Sequence, residues 1–139
     1  MQASDIMTRQ PSCCSPGDPL PRAARIMLEE DVGEVPVVDE GKKLLGVITD
    51  RDIVTRCVAV GDSAQAAFVD ACMTAPALWL TEDATLEEVA DLMADQAIRR
   101  VPIVDHDGRL SGIVALADLD STDARSLKAR VVESVSVPH

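Results

Sequence analysis

Two side chains that can hold a ligand stand three residues apart in the stretch GVITDRD, residues 46–52. Asp52 carries a carboxylate whose two oxygens can accept hydrogen bonds from two adjacent hydroxyl groups, and Thr49 offers a hydroxyl. Gly46 has no side chain, which would let a ligand approach the backbone. Thr49 and Asp52 also have the spacing of a helix capping box, which needs no ligand. The stretch therefore has two interpretations, the wall of a binding pocket and a helix cap.

A second copy of this stretch, GIVALAD at residues 112–118, bears on the choice. Ala115 stands where the first copy has Thr49, so the capping hydroxyl is gone, yet Asp118 is retained. A cap alone does not explain that aspartate, and the comparison favours a pocket. A missing neutral hydroxyl contact costs about 1 kcal/mol, somewhat under tenfold in affinity. The site of the second copy is therefore predicted to be the weaker one.

Both stretches belong to an internal repeat that organises the chain. Residues 5–53 align with residues 71–119 at a constant offset of 66, and 12 of the 49 aligned positions are identical. Each copy predicts a short strand (residues 12–14 and 78–80), an amphipathic helix, two strands joined by a polar turn, and a second helix. The runs VPVVD and VPIVD are continuously apolar, as expected of buried strands. The sequence therefore predicts a mixed α/β fold class, more specifically α+β.

The first helix of the second copy has the clearest pattern. One apolar stripe recurs at helical spacing through Leu86, Val89, Ala90, Met93 and Ala97. Thr85 and Glu88 predict a capping box at its start. The residues that connect the copies, 54–70, are predicted to be helical in two pieces, broken at residues 61 and 62.

Composition excludes two classes of partner. The net charge of -11 would repel a polyanion, and the aromatic content of 1% offers no platform for stacking bases, so we expect no nucleic-acid binding. No apolar run approaches the roughly 20 residues that cross a bilayer. The opening MQASDIMTRQ lacks the apolar region of a signal peptide. We therefore expect a cytoplasmic protein without a membrane partner.

Catalytic and metal-binding machinery are not expected either. Cys13, Cys14, Cys57 and Cys72 form no C-x-x-C pair, and neither histidine has metal-ligand spacing to them. We interpret the cysteines as small buried residues, with a redox switch as the alternative. The sequence contains no Ser-His-Asp constellation, Walker loop or dinucleotide fingerprint. The chain is predicted not to be an enzyme, with no required cofactor and no metal.

The repeated motifs resemble those of tandem cystathionine-β-synthase (CBS) domains. The resemblance rests on DIMT, VPVVD and GVITDRD in the first copy and on ACMT, RRVPIVD and GIVALAD in the second. It implies two β-α-β-β-α repeats, residues 3–60 and 71–121, packed through their sheets as a pseudo-twofold Bateman-type module. Residues 61–70 connect them, and residues 122–139 form a C-terminal helix or tail. It also implies a homodimer of the stand-alone bacterial, stress-associated kind, with an unidentified protein partner.

The resemblance further implies a regulatory, non-catalytic module for energy sensing. Such modules bind an adenosyl compound, AMP, ADP, ATP or S-adenosylmethionine, in clefts between the repeats. The family's ligand motif is Gly, two apolar residues, Thr or Ser, two residues of any type, and Asp. It maps without departure onto this chain, with candidate ligand residues Gly46, Ile48, Thr49, Arg51 and Asp52. In the family the aspartate grips the ribose diol, and the threonine hydroxyl contacts ribose or phosphate.

Further candidates come from the second copy. Asp118 ends its motif, and by resemblance Arg99 and Arg100 face the nucleotide in the same cleft, although a solvated turn pair is the alternative. Trp79 lies by resemblance near the adenine, where an indole can stack on a purine, or else it is a core or interface residue. The intact motif and this basic pair stand in opposite copies. Either each cleft has only one of these two features, or the cleft of the first copy prefers a ligand with little negative charge.

The sequence therefore predicts a CBS module that senses an adenosyl nucleotide. The alternative, from a different functional class, is a redox-responsive or structural interaction scaffold that has lost nucleotide binding. Such a scaffold would signal through thiols or through the C-terminal segment, residues 121–139. Stabilisation by a nucleotide would support the first interpretation, and oligomer size that depends on reductant alone would support the second.

Overall fold

The computed structural model describes residues 1–120 and 125–136. Residues 121–124 and 137–139, which belong to the predicted C-terminal segment, lie outside the described residues. The elements in chain order are α1 (Ala3–Ile6), β1 (Thr8–Arg9), α2 (Leu20–Glu30), β2 (Glu34–Val38), β3 (Leu44–Thr49), α3 (Asp50–Ile53), a π-helical turn (Val54–Val58), α4 (Val69–Cys72), β4 (Leu80–Thr81), α5 (Leu86–Gln96), β5 (Arg100–Val104), β6 (Leu110–Ala115), a 3-10 helix (Leu116–Asp120) and α6 (Arg125–Ser136). They form two compact units, which we call the first-repeat unit (residues 12–77) and the second-repeat unit (residues 1–11 and 78–139).

The first-repeat unit is built on the antiparallel pair of strands β2 and β3. Glu34 faces Thr49 at one end of this pair, and Val35 faces Ile48. The buried side chains of Val35 and Ile48 pack with Leu20 of α2 and with residues of the π-helical turn and α4. Burial of each such aliphatic side chain contributes about 1.5–3 kcal/mol to folding. This core fixes the position at which β3 ends and α3 begins.

The second-repeat unit contains a four-stranded sheet in the order β1-β6-β5-β4. Helix α5 begins with the predicted capping box, in which Thr85 Oγ1 accepts a hydrogen bond from Glu88 N at 3.1 Å. Helix α6 packs against α5 and the 3-10 helix. Val131 of α6 is 0% exposed in the core that this packing closes.

The strands of both units pair in the same scheme. In the first-repeat unit, however, the two outer strands are replaced by isolated β-bridges of one residue pair each. Cys14 bridges Val37 in parallel fashion, as Leu80 of β4 pairs with Ile103 of β5. Thr74 bridges Val47, as Thr8 of β1 pairs with Ile113 of β6. The segment that opens each sequence copy therefore lies in the unit formed by the other copy. The compact units and the sequence repeats have different boundaries for this reason.

The predicted fold class and the tandem repeat are confirmed, and two local predictions are wrong. The strand expected at residues 12–14 is reduced to the bridge at Cys14. Of the helix expected over residues 54–70, only the π-helical turn and α4 form. Gly61 has a φ of +83°, and the chain beyond it runs beside the start of α2, where Leu20 N donates to Ala67 O at 2.9 Å. These pairings with another segment replace helical ones.

Among the helices in the described part of the chain, none combines the length and apolar character that crossing a bilayer requires.

Candidate functional site

The GVITDRD stretch forms the end of β3 and the first turn of α3, and its capping box is present. Thr49 has extended backbone angles and is the N-cap residue of α3. Its Oγ1 accepts a hydrogen bond from Asp52 N at 3.0 Å, and Asp52 Oδ2 accepts one from Thr49 N at 3.0 Å. Two backbone N–H groups at the helix start are satisfied in this way. The capping interpretation of Thr49 and Asp52 is confirmed.

The Asp52 carboxylate has a further partner that sequence reasoning missed. Thr74 Oγ1 donates to it, at 3.1 Å from Oδ1 and 3.2 Å from Oδ2. Asp52 is only 8% exposed, and within the described residues no other charged residue is buried to this degree. A buried carboxylate requires such donors, because desolvation without hydrogen bonds costs several kcal/mol. The signal in the sequence was the Met-Thr pair that opens both copies.

Arg56 is a second missed residue near this carboxylate. Its Nε lies 3.9 Å from Asp52 Oδ1, at the long limit of an ion pair. Its terminal nitrogen Nη1 donates to Met73 O at 2.8 Å and to Cys72 O at 3.4 Å. Arg56 therefore ties the residues around Thr74 to α3. The four-residue spacing from Asp52 along a helix could have identified it.

Gly46 is required for the packing of the chain itself, whether or not a ligand approaches it. A Cβ at this position would collide with the carbonyl oxygen of Thr74. Val47 N donates to that same oxygen at 2.9 Å, so the Thr74 backbone crosses β3 at close range. Gly112 has the same role in the second-repeat unit, where a Cβ would lie 2.8 Å from Thr8 O. In both units the close approach comes from a neighbouring segment of the protein.

Asp118 also has a structural role, so the argument that a cap alone does not explain it is wrong. Its Oδ2 accepts a hydrogen bond from Ala115 N at 2.7 Å. Half of the capping box thus survives without the threonine hydroxyl, since the aspartate side of the box needs only a backbone donor. The retained aspartate by itself does not distinguish a pocket from a cap.

The remaining candidates fall into different environments. The Ile48 side chain is 0% exposed in the core, so contact from this residue to a ligand could come only through its backbone. Arg51 is exposed beside Asp52, and its unit contains neither Trp79 nor the Arg99–Arg100 pair. Trp79 is 53% exposed.

The basic pair lies beside the Asp118 turn within the second-repeat unit. Arg100 faces Ala115 in the register of β5 and β6, and Leu116 N donates to Arg99 O at 2.8 Å. Arg99 is exposed, whereas Arg100 is half-buried. Arg100 Nε is inaccessible to solvent and has no hydrogen-bond acceptor among the described residues. The two arginines and Asp118 are therefore neighbours.

The cysteines are mostly buried. Cys14, Cys57 and Cys72 are at most 2% exposed, and all four cysteines are free thiols. Burial first, and then the Asp18 carboxylate, raises the pKa of Cys14 to about 11. Burial, followed by the neighbouring Cys57 thiol, also raises the pKa of Cys72. Within the described residues, no group of three His, Cys, Asp or Glu side chains could hold a metal ion.

Comparisons with known proteins agree with this architecture. The model of the CBS domain family matches the chain twice, at residues 3–59 and 69–122. The CBS domain-containing protein YhcV of Bacillus subtilis is 42% identical over 115 residues, which cover 83% of this chain and 80% of that protein.

Two solved structures are similar throughout both copies. The crystal structure of Hypoxic Response Protein I with two coordinated zinc ions has a TM-score of 0.79 and 32% identity, and the match covers 86% of this chain and 96% of that one. The CBS domain pair of protein MJ0100, in complex with 5'-methylthioadenosine and S-adenosyl-L-methionine, has a TM-score of 0.75 and 29% identity over 86% and 96% of the two chains. Since the family model matches both copies and together these matches span most of the sequence, the chain belongs to the CBS domain family as a tandem pair.

Proposed function

We propose that this CBS pair is a regulatory, non-catalytic module that binds an adenosyl compound at the Thr49–Asp52 turn. The observation that carries the proposal is the Asp52 carboxylate, which is held at the carboxyl end of β3 by two donors and is 8% exposed. A carboxylate has about four acceptor positions, and among the described residues Oδ1 is approached only by the shared Thr74 hydroxyl and the distant Arg56 nitrogen. Acceptor capacity therefore remains on Oδ1.

The proposed recognition is an exchange of hydroxyl donors at Asp52. One ribose hydroxyl would donate to Oδ1, and the adjacent one would replace the Thr74 hydroxyl, whose hydrogen bond is shared between both oxygens at 3.1 and 3.2 Å. Thr49 Oγ1 already accepts from Asp52 N and keeps its proton for donation to the ligand. The complex of the MJ0100 pair with two adenosyl compounds supports this class of ligand.

Charge favours different ligands at the two turns. Asp50 and Asp52 place negative charge at the start of α3, where a phosphate would otherwise be favoured, and Arg56 is committed to backbone carbonyls. S-adenosylmethionine or another adenosyl compound with little negative charge fits this turn best. In the second-repeat unit, Arg99 and Arg100 supply cations beside Asp118, so AMP, ADP or ATP fits that turn better, with lower affinity because the threonine is missing.

A thermal-shift panel tests this proposal. The panel contains S-adenosylmethionine, 5'-methylthioadenosine, adenosine, AMP, ADP, ATP and NAD. A ligand at about 100 times its dissociation constant adds about 2.7 kcal/mol of stability. We expect the ligands of low negative charge to stabilise the wild type, and Asp52→Asn to abolish this stabilisation. We expect AMP to stabilise the wild type less, and Arg100→Gln to abolish the effect of AMP. Absence of stabilisation by every compound would contradict the proposal.

The second candidate function is an interaction scaffold without a nucleotide. It is favoured by one observation, namely that Gly46, Asp52 and Asp118 all have roles within their own units. A redox form of this scaffold would join Cys57 to Cys72 by exchange with a small external disulfide, which leaves as two thiols. Burial of both thiols and the raised pKa of Cys72 oppose that reaction, because the thiolate is the attacking species. Loss of the free Cys57 and Cys72 thiols on oxidation, or an oligomer size that changes with reductant, without any effect of nucleotide would establish this alternative.

Cytoplasmic location, homodimer formation and a role in stress or energy sensing stay predictions. The name of the similar Hypoxic Response Protein I is in keeping with the stress role.

A further inference from the structure

Three consecutive residues of the 3-10 helix in the second-repeat unit have different partners. Asp118 Oδ2 accepts the hydrogen bond from Ala115 N at the proposed ligand turn. The next residue, Leu119, is 0% exposed in the core that α6 closes. Asp120 Oδ1 then lies 2.5 Å from Nζ of Lys128 in α6. The ligand turn and the seat of α6 therefore belong to one short element.

This 3-10 helix is held less firmly than its counterpart α3. Leu119 has φ −82° and ψ 18°, which interrupts the helical backbone angles. The hydrogen bonds of a 3-10 helix also have poorer geometry than those of an α-helix. Among the described residues the Asp118 carboxylate accepts only from Ala115 N, whereas Asp52 of α3 also accepts from Thr74. The order of the 3-10 helix therefore depends strongly on what packs against it.

Helix α6 supplies much of this packing. Val131, which is 0% exposed, and the half-buried Leu127 lie in the same core as Leu119. On the other side of α6, Arg130 Nη2 lies 2.7 Å from Asp91 Oδ1 of α5. Helix α6 thus bridges α5 and the 3-10 helix, and its docking helps to order the latter.

We propose that docking of α6 and binding of an adenosyl nucleotide at the Asp118 turn are positively coupled through the 3-10 helix. The inference rests on the proposed nucleotide site at this turn. A nucleotide whose hydroxyl groups donate to Asp118, and whose phosphate pairs with Arg99 and Arg100, fixes the same element against which α6 packs. Whichever of the two binds first carries the loss of conformational entropy of that element, so the second binds more tightly. Helix α6 therefore reports whether the turn is occupied.

Hydrogen exchange of the full chain measures the coupling from the side of α6. Coupling between two sites acts equally in both directions, and its usual range is about 5–150-fold. We expect the lower end, about fivefold, because the shared element is a single short helix. Saturating AMP should therefore slow exchange of the α6 amides about fivefold, while exchange of α2 in the other unit stays unchanged.

Calorimetric titration of AMP measures the same coupling from the side of the nucleotide. Val131 is 0% exposed and the adjacent Val132 is 41% exposed, so Val131→Asp and Val132→Asp add the same charge but only the first unseats α6. Val131→Asp should weaken AMP binding about fivefold, and Val132→Asp less than about twofold. Exchange of β5 and β6 establishes that the Val131→Asp variant keeps its sheet. If the sheet is lost, exchange of α6 in the wild type decides the question.

The outcomes separate the coupling from the nucleotide site. A heat of AMP binding that Asp118→Asn removes would place the nucleotide at this turn. With that heat present, α6 exchange that AMP leaves unchanged or accelerates would overturn the coupling alone, as would equal AMP affinities of the two valine variants with the sheet intact. Absence of any heat that depends on Asp118 would overturn the nucleotide site at this turn, and the coupling with it.

Discussion

The aspartates that end the two motif copies should contribute unequally to stability. Asp52 accepts hydrogen bonds from Thr49 N and from Thr74 Oγ1, whereas within the described residues Asp118 accepts only from Ala115 N. Loss of a helix cap costs about 1 kcal/mol, and loss of a hydrogen bond to a buried charged acceptor about 1.5–3 kcal/mol. Asp52→Ala should therefore cost about 3 kcal/mol and Asp118→Ala about 1 kcal/mol, a difference of about 2 kcal/mol.

Urea unfolding of the two variants and the wild type measures this difference. The two units need not unfold as one, so hydrogen exchange of peptides from β3 and β6 should accompany the unfolding curves. Asp52→Ala should raise exchange in β3 and Asp118→Ala in β6. Asp50→Ala is the matched control, because Asp50 is exposed and its carboxylate bonds only to the adjacent Arg51 N, at 2.8 Å, within the described part of the chain.

Equal costs of the two aspartate substitutions, within about 0.5 kcal/mol, would refute this reasoning. A cost below about 1 kcal/mol for Asp52→Ala would refute it as well, since the Thr74 hydrogen bond would then contribute nothing.

Three further predictions follow from the same contacts. Thr74→Val should destabilise the first-repeat unit by about 1–2 kcal/mol, as measured by urea unfolding. The change should not weaken adenosyl binding, because it frees an acceptor position on Asp52. Weaker binding would show that Thr74 itself contacts the ligand. Gly46→Ala should cost about 1–3 kcal/mol through its collision with the Thr74 backbone, whereas Gly17→Ala, with open space around it, should cost less than about 0.5 kcal/mol. The pKa of Cys14 rises from 9.0 to about 11 on folding, so its contribution to stability is complete below pH 9 and is lost as the pH rises towards 11. Between about pH 8 and 10.5 the wild type should lose up to about 2 kcal/mol more than Cys14→Ala, and equal losses would contradict the shift.

Much of the fold could be predicted from the sequence because the same pattern of apolar and turn residues occurs twice in the chain. The constant offset of 66 gave the order of elements, and the apolar stripe of α5 with its capping residues gave the best-defined helix. The register of β2 with β3 recurs in β5 with β6, each with an irregularity before the final valine. Repetition of a pattern is stronger evidence than either copy alone.

The exchange of opening segments could not be predicted, because it depends on contacts between residues far apart in sequence. Nothing local indicates that Thr8 pairs with β6 or that Thr74 crosses β3. This exchange also explains why the contact between Gly46 and Thr74 leaves no local signal, since the segment that approaches Gly46 lies 28 residues further along the chain.

The helix between the copies was overpredicted for a related reason. Residues 59–68 have no strong breaker apart from Gly61, and their alanines favour a helix. Their backbone groups instead pair with the chain around the start of α2, where Leu20 N donates to Ala67 O, and the next residue, Val69, donates its N–H to Asp18 O at 2.9 Å. Tertiary pairing of this kind overrides local propensity and leaves no periodic signal.

Calorimetric titration of S-adenosylmethionine into the wild type, Asp52→Asn and Asp118→Asn tests the central claim most directly. The asparagine side chain would keep the shape of the aspartate but lose the charged acceptor, so hydrogen exchange should first establish that β3 remains folded. We predict that Asp52→Asn weakens binding at least about tenfold, while Asp118→Asn changes it less than about threefold. Unchanged affinity in Asp52→Asn, or no heat of binding in the wild type, would contradict the claim and leave the GVITDRD turn as a helix cap.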